Sequence, residues 1–86
     1  MAAHKFTTIK AGSRGNDVIV LQSLFRACGQ LGKDGKLIDI DGICGNNTIY
    51  AINGFRASAK AYGENITGAN GEFNASCWAA ILGGVV

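Results

Sequence analysis

Two stretches of this chain spell the same short device, Asp41-Gly42-Ile43-Cys44-Gly45-Asn46-Asn47-Thr48-Ile49-Tyr50-Ala51-Ile52 and Asn70-Gly71-Glu72-Phe73-Asn74-Ala75-Ser76-Cys77-Trp78-Ala79-Ala80-Ile81, set 29 positions apart. An internal repeat constrains a fold strongly, because one supersecondary unit is used twice and neither copy buries its apolar face alone. Each copy has Asp or Asn, then Gly, a short linker, a helix-starting position and an alanine-rich apolar run. The unit this predicts is a turn feeding a helix. Asp41 can accept a hydrogen bond from its own backbone two residues on, while Gly42 supplies a positive φ that a side chain resists. The helix after it starts near Gly45 or Asn46, with Thr48 in the first turn, where its hydroxyl can reach free backbone groups. Ala51, Ile52, Phe55, Ala59 and Tyr62 form its expected buried stripe and Gly63 its end. Gly54 inside that helix costs about 1 kcal/mol relative to Ala, and marks a place where another element can approach closely. In the second copy Asn70 and Gly71 stand for Asp41 and Gly42, and Asn74 is the expected N-cap. The closing helix carries Cys77, Trp78, Ile81 and Leu82, ended by Gly83-Gly84.

Ahead of the repeats, Gly12-Ser13-Arg14-Gly15 reads as a turn, and either Asn16 or Asp17 can cap a following helix. Val18, Leu21, Leu24, Phe25 and Cys28 recur at three- and four-residue steps, which outweighs the β-branched run Val18-Ile19-Val20 and predicts a helix stopped by Gly29. Residues 29–40 are polar and glycine-rich, with a turn at Lys33-Asp34-Gly35-Lys36. The expected fold is therefore all-α, a three-helix bundle over residues 12–84. Residues 1–11 form an N-terminal leader, which Phe6 and Ile9 can pin to the core.

At 86 residues there is room for one small domain, and 48% hydrophobic against 16% charged residues argues for a folded chain. The net charge of +2 comes from scattered rather than clustered basic residues, which speaks against nucleic-acid binding. The longest apolar run, Val18-Ile19-Val20-Leu21, is far below the roughly 20 residues of a membrane span. Residues 1–10 contain no apolar core of a secretory signal. Cys28, Cys44 and Cys77 have neither the number nor the spacing for a disulfide framework or a metal site, and read as small buried hydrophobes. A Cys nucleophile with His4 as base would require a meeting in space that the spacing does not indicate. Asp39 and Asp41 alternate as calcium ligands do, yet an EF-hand loop would then need a third ligand at 43, glycine at 44 and glutamate at 50. The residues there are Ile43, Cys44 and Tyr50, so no metal or cofactor is expected. Two carboxylates this close, in so small a bundle, do not make a glycosidase cleft, so no enzyme activity is expected either.

In these residues the chain resembles the peptidoglycan-binding domain found at the ends of bacterial and phage cell-wall hydrolases. The family's opening pattern G-x-x-G-x-x-V-x-x-L-Q-x-x-L is met by Gly12, Gly15, Val18, Leu21, Gln22 and Phe25 or Leu24. Its middle, D-G-x-x-G-x-x-T-x-x-A-[VI]-x-x-F, is met by Asp41, Gly42, Gly45, Thr48, Ala51, Ile52 and Phe55. Its close, D-G-x-x-G-x-x-T-W-x-x-L, is met by Asn70, Gly71, Trp78 and Ile81, with Phe73 and Ala80 in the spacer positions. The chain departs from the pattern at Asn70 for Asp, Asn74 for Gly, Cys77 for Thr and Arg56 for Gln; the second copy is degenerate, and both linkers look longer than usual.

The resemblance implies a non-catalytic, monomeric module that binds bacterial peptidoglycan, through its glycan strand or stem peptide, and holds a hydrolase or phage lysin on the wall. The candidate groove runs where the first helix begins and the two repeat turns converge. Arg14 is the expected partner of a ligand carboxylate. Asp39 and Asn47 are the expected partners of amides and hydroxyls, and Tyr50 or Trp78 of a sugar face. The expected location is cytoplasmic accumulation with action at the wall after phage-type release, or attachment to a longer exported protein. The alternative is a structural or assembly protein, such as a virion component, that keeps the bundle without binding murein.

Overall fold

A computed structural model describes residues 6–83, so the predicted features at His4 and Gly84 lie outside the described residues. The chain forms three helices, α1 (Asn16–Cys28), α2 (Asn46–Ala61) and α3 (Ala75–Ile81), and among the described residues there is no strand. Its radius of gyration of 11.9 Å equals that expected for a compact domain of this length, about 12 Å. None of the described helices is long and apolar enough to cross a membrane.

Helix α1 buries Val18, Leu21, Gln22 and Phe25, the face its period predicts, and Gly29 closes it in the left-handed conformation at φ 75°. Cys28 falls at the very end of that face and is exposed, contrary to the expectation of a buried thiol, while Cys44 and Cys77 are buried. Neither Asn16 nor Asp17 caps the helix: the N-cap is Gly15, without a side-chain bond. The Asp17 carboxylate instead accepts from the backbone N–H and hydroxyl of Thr7, at 2.8 and 2.9 Å.

Helix α2 starts after Gly45 and buries Thr48, Ala51, Ile52, Arg56 and Ala59. Tyr62 is 89% exposed rather than part of the stripe, because it sits at the C-cap, where the chain leaves the helix through Gly63. Periodicity extrapolates the apolar face one step past the last helical turn. In α3, Asn74 is the N-cap and accepts from the Cys77 N–H at 3.3 Å, the bond that an N-cap asparagine makes.

Residues 6–15 pack on the domain, with Phe6 and Ile9 pinning the N-terminal segment to the core as the sequence suggests. They run antiparallel along both repeat turns, Ile9 exchanging backbone bonds with Phe73 (3.0 and 2.8 Å) and Gly12, Ser13 and Gly15 bonding Cys44 and Gly42 (2.9–3.1 Å). Ile9 is buried in the core with Val18, Leu21, Phe25, Ile52, Phe73 and Trp78. Phe6 stacks on Trp78 at 4.1 Å between centroids. Both turns therefore dock on one N-terminal rib, which itself turns at Ala11-Gly12 between the two pairings and aligns the helices that follow them.

Candidate functional site

The first repeat turn is held from below by Gln22 of α1, a residue only 1% exposed. Its Oε1 accepts from the backbone N–H groups of Asp41 (3.1 Å) and Gly42 (2.9 Å). Its Nε2 lies 3.0 Å from Asp41 Oδ1, 3.0 Å from the Ile43 carbonyl and 3.1 Å from Thr48 Oγ1. Three acceptors share two hydrogens, so the amide is fully used. Thr48 thus accepts from a side chain across the core, where the sequence suggested a bond to its own helix terminus. Asp41 makes the predicted local turn, accepting from the Ile43 N–H at 3.0 Å. That bond, and then the one from Gln22, holds the Asp41 carboxyl below its ordinary value of 3.8. Gly42, at φ 75°, adopts a backbone conformation that a side chain resists, and a Cβ there would also crowd Ile19 Cγ1 at 3.2 Å.

Beside this turn lies an open groove of about 490 Å³ lined by Lys33, Asp34, Asp39, Asp41, Ile43 and residues 45–48. One wall is the turn at 32–36, which forms as the sequence predicts. Gly35 has φ 76°, Gly32 N–H donates to the Lys36 carbonyl at 2.9 Å, and Lys36 N–H donates to Asp34 Oδ1 at 3.0 Å. Asn47, at the start of α2, fastens that wall: its Oδ1 accepts from Lys33 N–H at 3.1 Å and its Nδ2 donates to Asp34 Oδ2 at 3.4 Å. The loop is fastened again where Arg26 donates to the carbonyl of buried Ile38 at 2.9 Å. Three carboxylates and one ammonium face the groove, so it offers chiefly acceptors to hydroxyl, amide and ammonium donors.

Of the five residues singled out from sequence, Asp39 and Asn47 line this groove together. Asp39 is exposed and Asn47 is engaged in holding the wall. Arg14 lies next to the groove through its backbone pairing with Ile43, and its side chain is exposed. Tyr50 is 53% exposed on α2, outside the groove lining. Trp78 is in the core, 4% exposed, with Phe6 stacked on it, Phe73 edge-on at 4.9 Å and its Nε1 donating to the Thr7 carbonyl at 3.0 Å. It has no free face for a sugar; the chain that covers it arrives from the other end of the sequence.

Two residues that sequence reasoning did not assign shape the turns. Gln22 falls on the buried stripe of α1, and a polar residue at a stripe position was the available signal. Arg56 is its counterpart beneath the second turn, 2% exposed although charged. Its guanidinium donates to the carbonyls of Glu72 (3.0 Å) and Gly68 (2.8 Å) and to Cys77 Sγ (3.2 Å), while Nε has no partner. Both clamps directly follow an apolar side chain of the preceding helix, Leu21 within the core and Phe55 packed against it. The second turn is also braced differently at its tip, where Asn53 of α2 accepts from Gly71 N–H at 2.6 Å. Of the buried thiols, burial pushes Cys44 up to about 11, so it stays a neutral packing group at physiological pH.

Comparison of the chain with family models, with curated proteins and with solved structures finds no match.

Proposed function

We propose that this domain is a non-catalytic peptidoglycan-binding module, which takes hydroxyl and amide groups of murein in the groove beside the first repeat turn. The observation that carries the reading is that Asp39 and Asn47 line one groove against the Asp41-Gly42 turn, which opens the second of the three ordered sequence blocks on which the resemblance rests. In this reading the Asp39 carboxylate accepts from ligand hydroxyls and N–H groups, Arg14 at the rim takes a carboxylate of a stem peptide, and Tyr50 offers its ring to a sugar edge. Asn47 acts mainly by holding the wall at Lys33 and Asp34. Trp78 acts only through the core.

The test is retention of the folded domain on purified sacculi. A charge-assisted hydrogen bond contributes about 1.5–3 kcal/mol, so Asp39→Ala should lower affinity by roughly ten- to a hundredfold. Among the described residues Asp39 makes no hydrogen bond, so the melting temperature should stay where it is. No retention of the wild-type domain, beside a retained positive control, would remove this function.

A second reading, an assembly protein that keeps the bundle without murein, is favoured by one feature. Ile19, Val20, Leu31, Leu37, Ile40 and Ile43 are large apolar residues left exposed on α1 and the long loop. Exposed apolar surface of this kind suits a protein partner better than a polar glycan.

A further inference from the structure

The chain contains two Asn-Gly pairs, Asn53-Gly54 and Asn70-Gly71, and the fold treats them in opposite ways. Asparagine followed by glycine is open to one spontaneous reaction, since no Cβ on the following residue shields its backbone nitrogen. That nitrogen, losing its proton, attacks the side-chain amide carbon. A ring N–C bond forms, the C–NH2 bond breaks, and ammonia leaves with the transferred proton. Water then opens the cyclic imide at either carbonyl, yielding aspartate or isoaspartate. The reaction needs no oxidant or reductant, only water and a main chain that can bring the two groups together.

Asn53 lies inside α2, where helical geometry fixes the main chain and the Gly54 amide belongs to the helix ladder. Asn70 lies in an exposed turn whose next residue, Gly71, has φ 82°. Its side chain makes no hydrogen bond among the described residues, whereas its counterpart Asp41 is held by Ile43 N–H and Gln22. One contact opposes the reaction at Asn70: the attacking Gly71 N–H is tied to Asn53 Oδ1 at 2.6 Å.

We infer that Asn70-Gly71 is a deamidation site of this protein, and that Asn53 restrains it by holding the Gly71 amide. The aspartyl product carries at 70 the carboxylate that the first turn carries at 41. The isoaspartyl product adds a methylene to the main chain just ahead of Phe73, whose two bonds to Ile9 dock the second turn on the rib. Modification therefore acts on the joint between the N-terminal segment and α3.

Incubation of the full chain in mildly alkaline buffer, followed by peptide mapping for aspartate and isoaspartate, tests this. In folded wild type the peptide containing Asn70 should convert while that containing Asn53 stays intact; in denaturant both should convert at similar rates. Asn53→Ala should accelerate conversion at 70 by roughly two- to tenfold, the factor that release of one hydrogen bond gives. Circular dichroism checks that the variant is folded. Should it unfold, the comparison of folded with denatured wild type still decides whether the fold selects Asn70. Equal conversion at 53 and 70 in the folded chain, or an unchanged rate in a folded Asn53→Ala variant, overturns the inference.

Discussion

At the scale of single residues the domain depends on two long polar side chains buried under its turns. Gln22 accepts from the Asp41 and Gly42 N–H groups and shares its two hydrogens among three acceptors, and removing it takes that partner from the buried Gly42 N–H and Thr48 hydroxyl. We expect Gln22→Ala to destabilise by about 2–4 kcal/mol in chemical denaturation, well above the usual effect of one substitution. Asp41 supplies a pH signature. Its carboxyl is lowered in the folded state, first by the Ile43 N–H and then by Gln22, so the stabilisation is present above its ordinary value of 3.8 and lost as pH falls through the lower folded value. Melting temperature should therefore fall as pH drops from 3.8 towards the lower folded value, and Asp41→Asn, which keeps an acceptor without a titrating charge, should flatten that part of the profile. A rise in melting temperature over the same range would contradict the assignment. The role of Asp41 was legible because its main bond spans two residues. That of Gln22 was not, because its partners lie 19 to 26 positions away.

At the scale of elements, each helix follows its own sequence closely. Gly29 and Gly63 close α1 and α2, and Asn74 opens α3, since caps and left-handed glycines are decided by neighbours in the chain. Gly54 shows how local preference and packing compete. A Cβ there would meet only the Nε2 end of Gln30, at 2.8 Å, a flexible group that can move aside. Gly54→Ala should thus raise stability by up to about 1 kcal/mol, read as a higher denaturation midpoint, because helix propensity is gained and little packing is lost. Where the periodic reading of elements went astray, at Cys28 and Tyr62, the residue sits at a helix end and its exposure depends on which way the next loop leaves.

At the scale of the whole molecule, the rib formed by residues 6–15 joins the parts. A domain that started at Gly12 would lose Ile9 from the core, the Phe6 stack on Trp78 and both bonds between Ile9 and Phe73. Burial of one large apolar side chain contributes about 1.5–3 kcal/mol, and a chain of this size has only about 4–13 kcal/mol of net stability. Deletion of residues 1–11 should accordingly abolish or strongly broaden the thermal unfolding transition; an unshifted cooperative melt would show that this part of the rib is dispensable. Turns, helix spans and the all-α class follow from residues within a few positions of one another, so the amino-acid sequence alone determined them. Setting Gln22 under the Asp41-Gly42 turn, sealing Trp78 under Phe6 and burying Arg56 beneath the second turn required segments distant along the chain to meet. The Trp78 bond to Thr7 spans 71 positions, and no local rule reports which of many possible apolar and polar partners a collapsing chain selects.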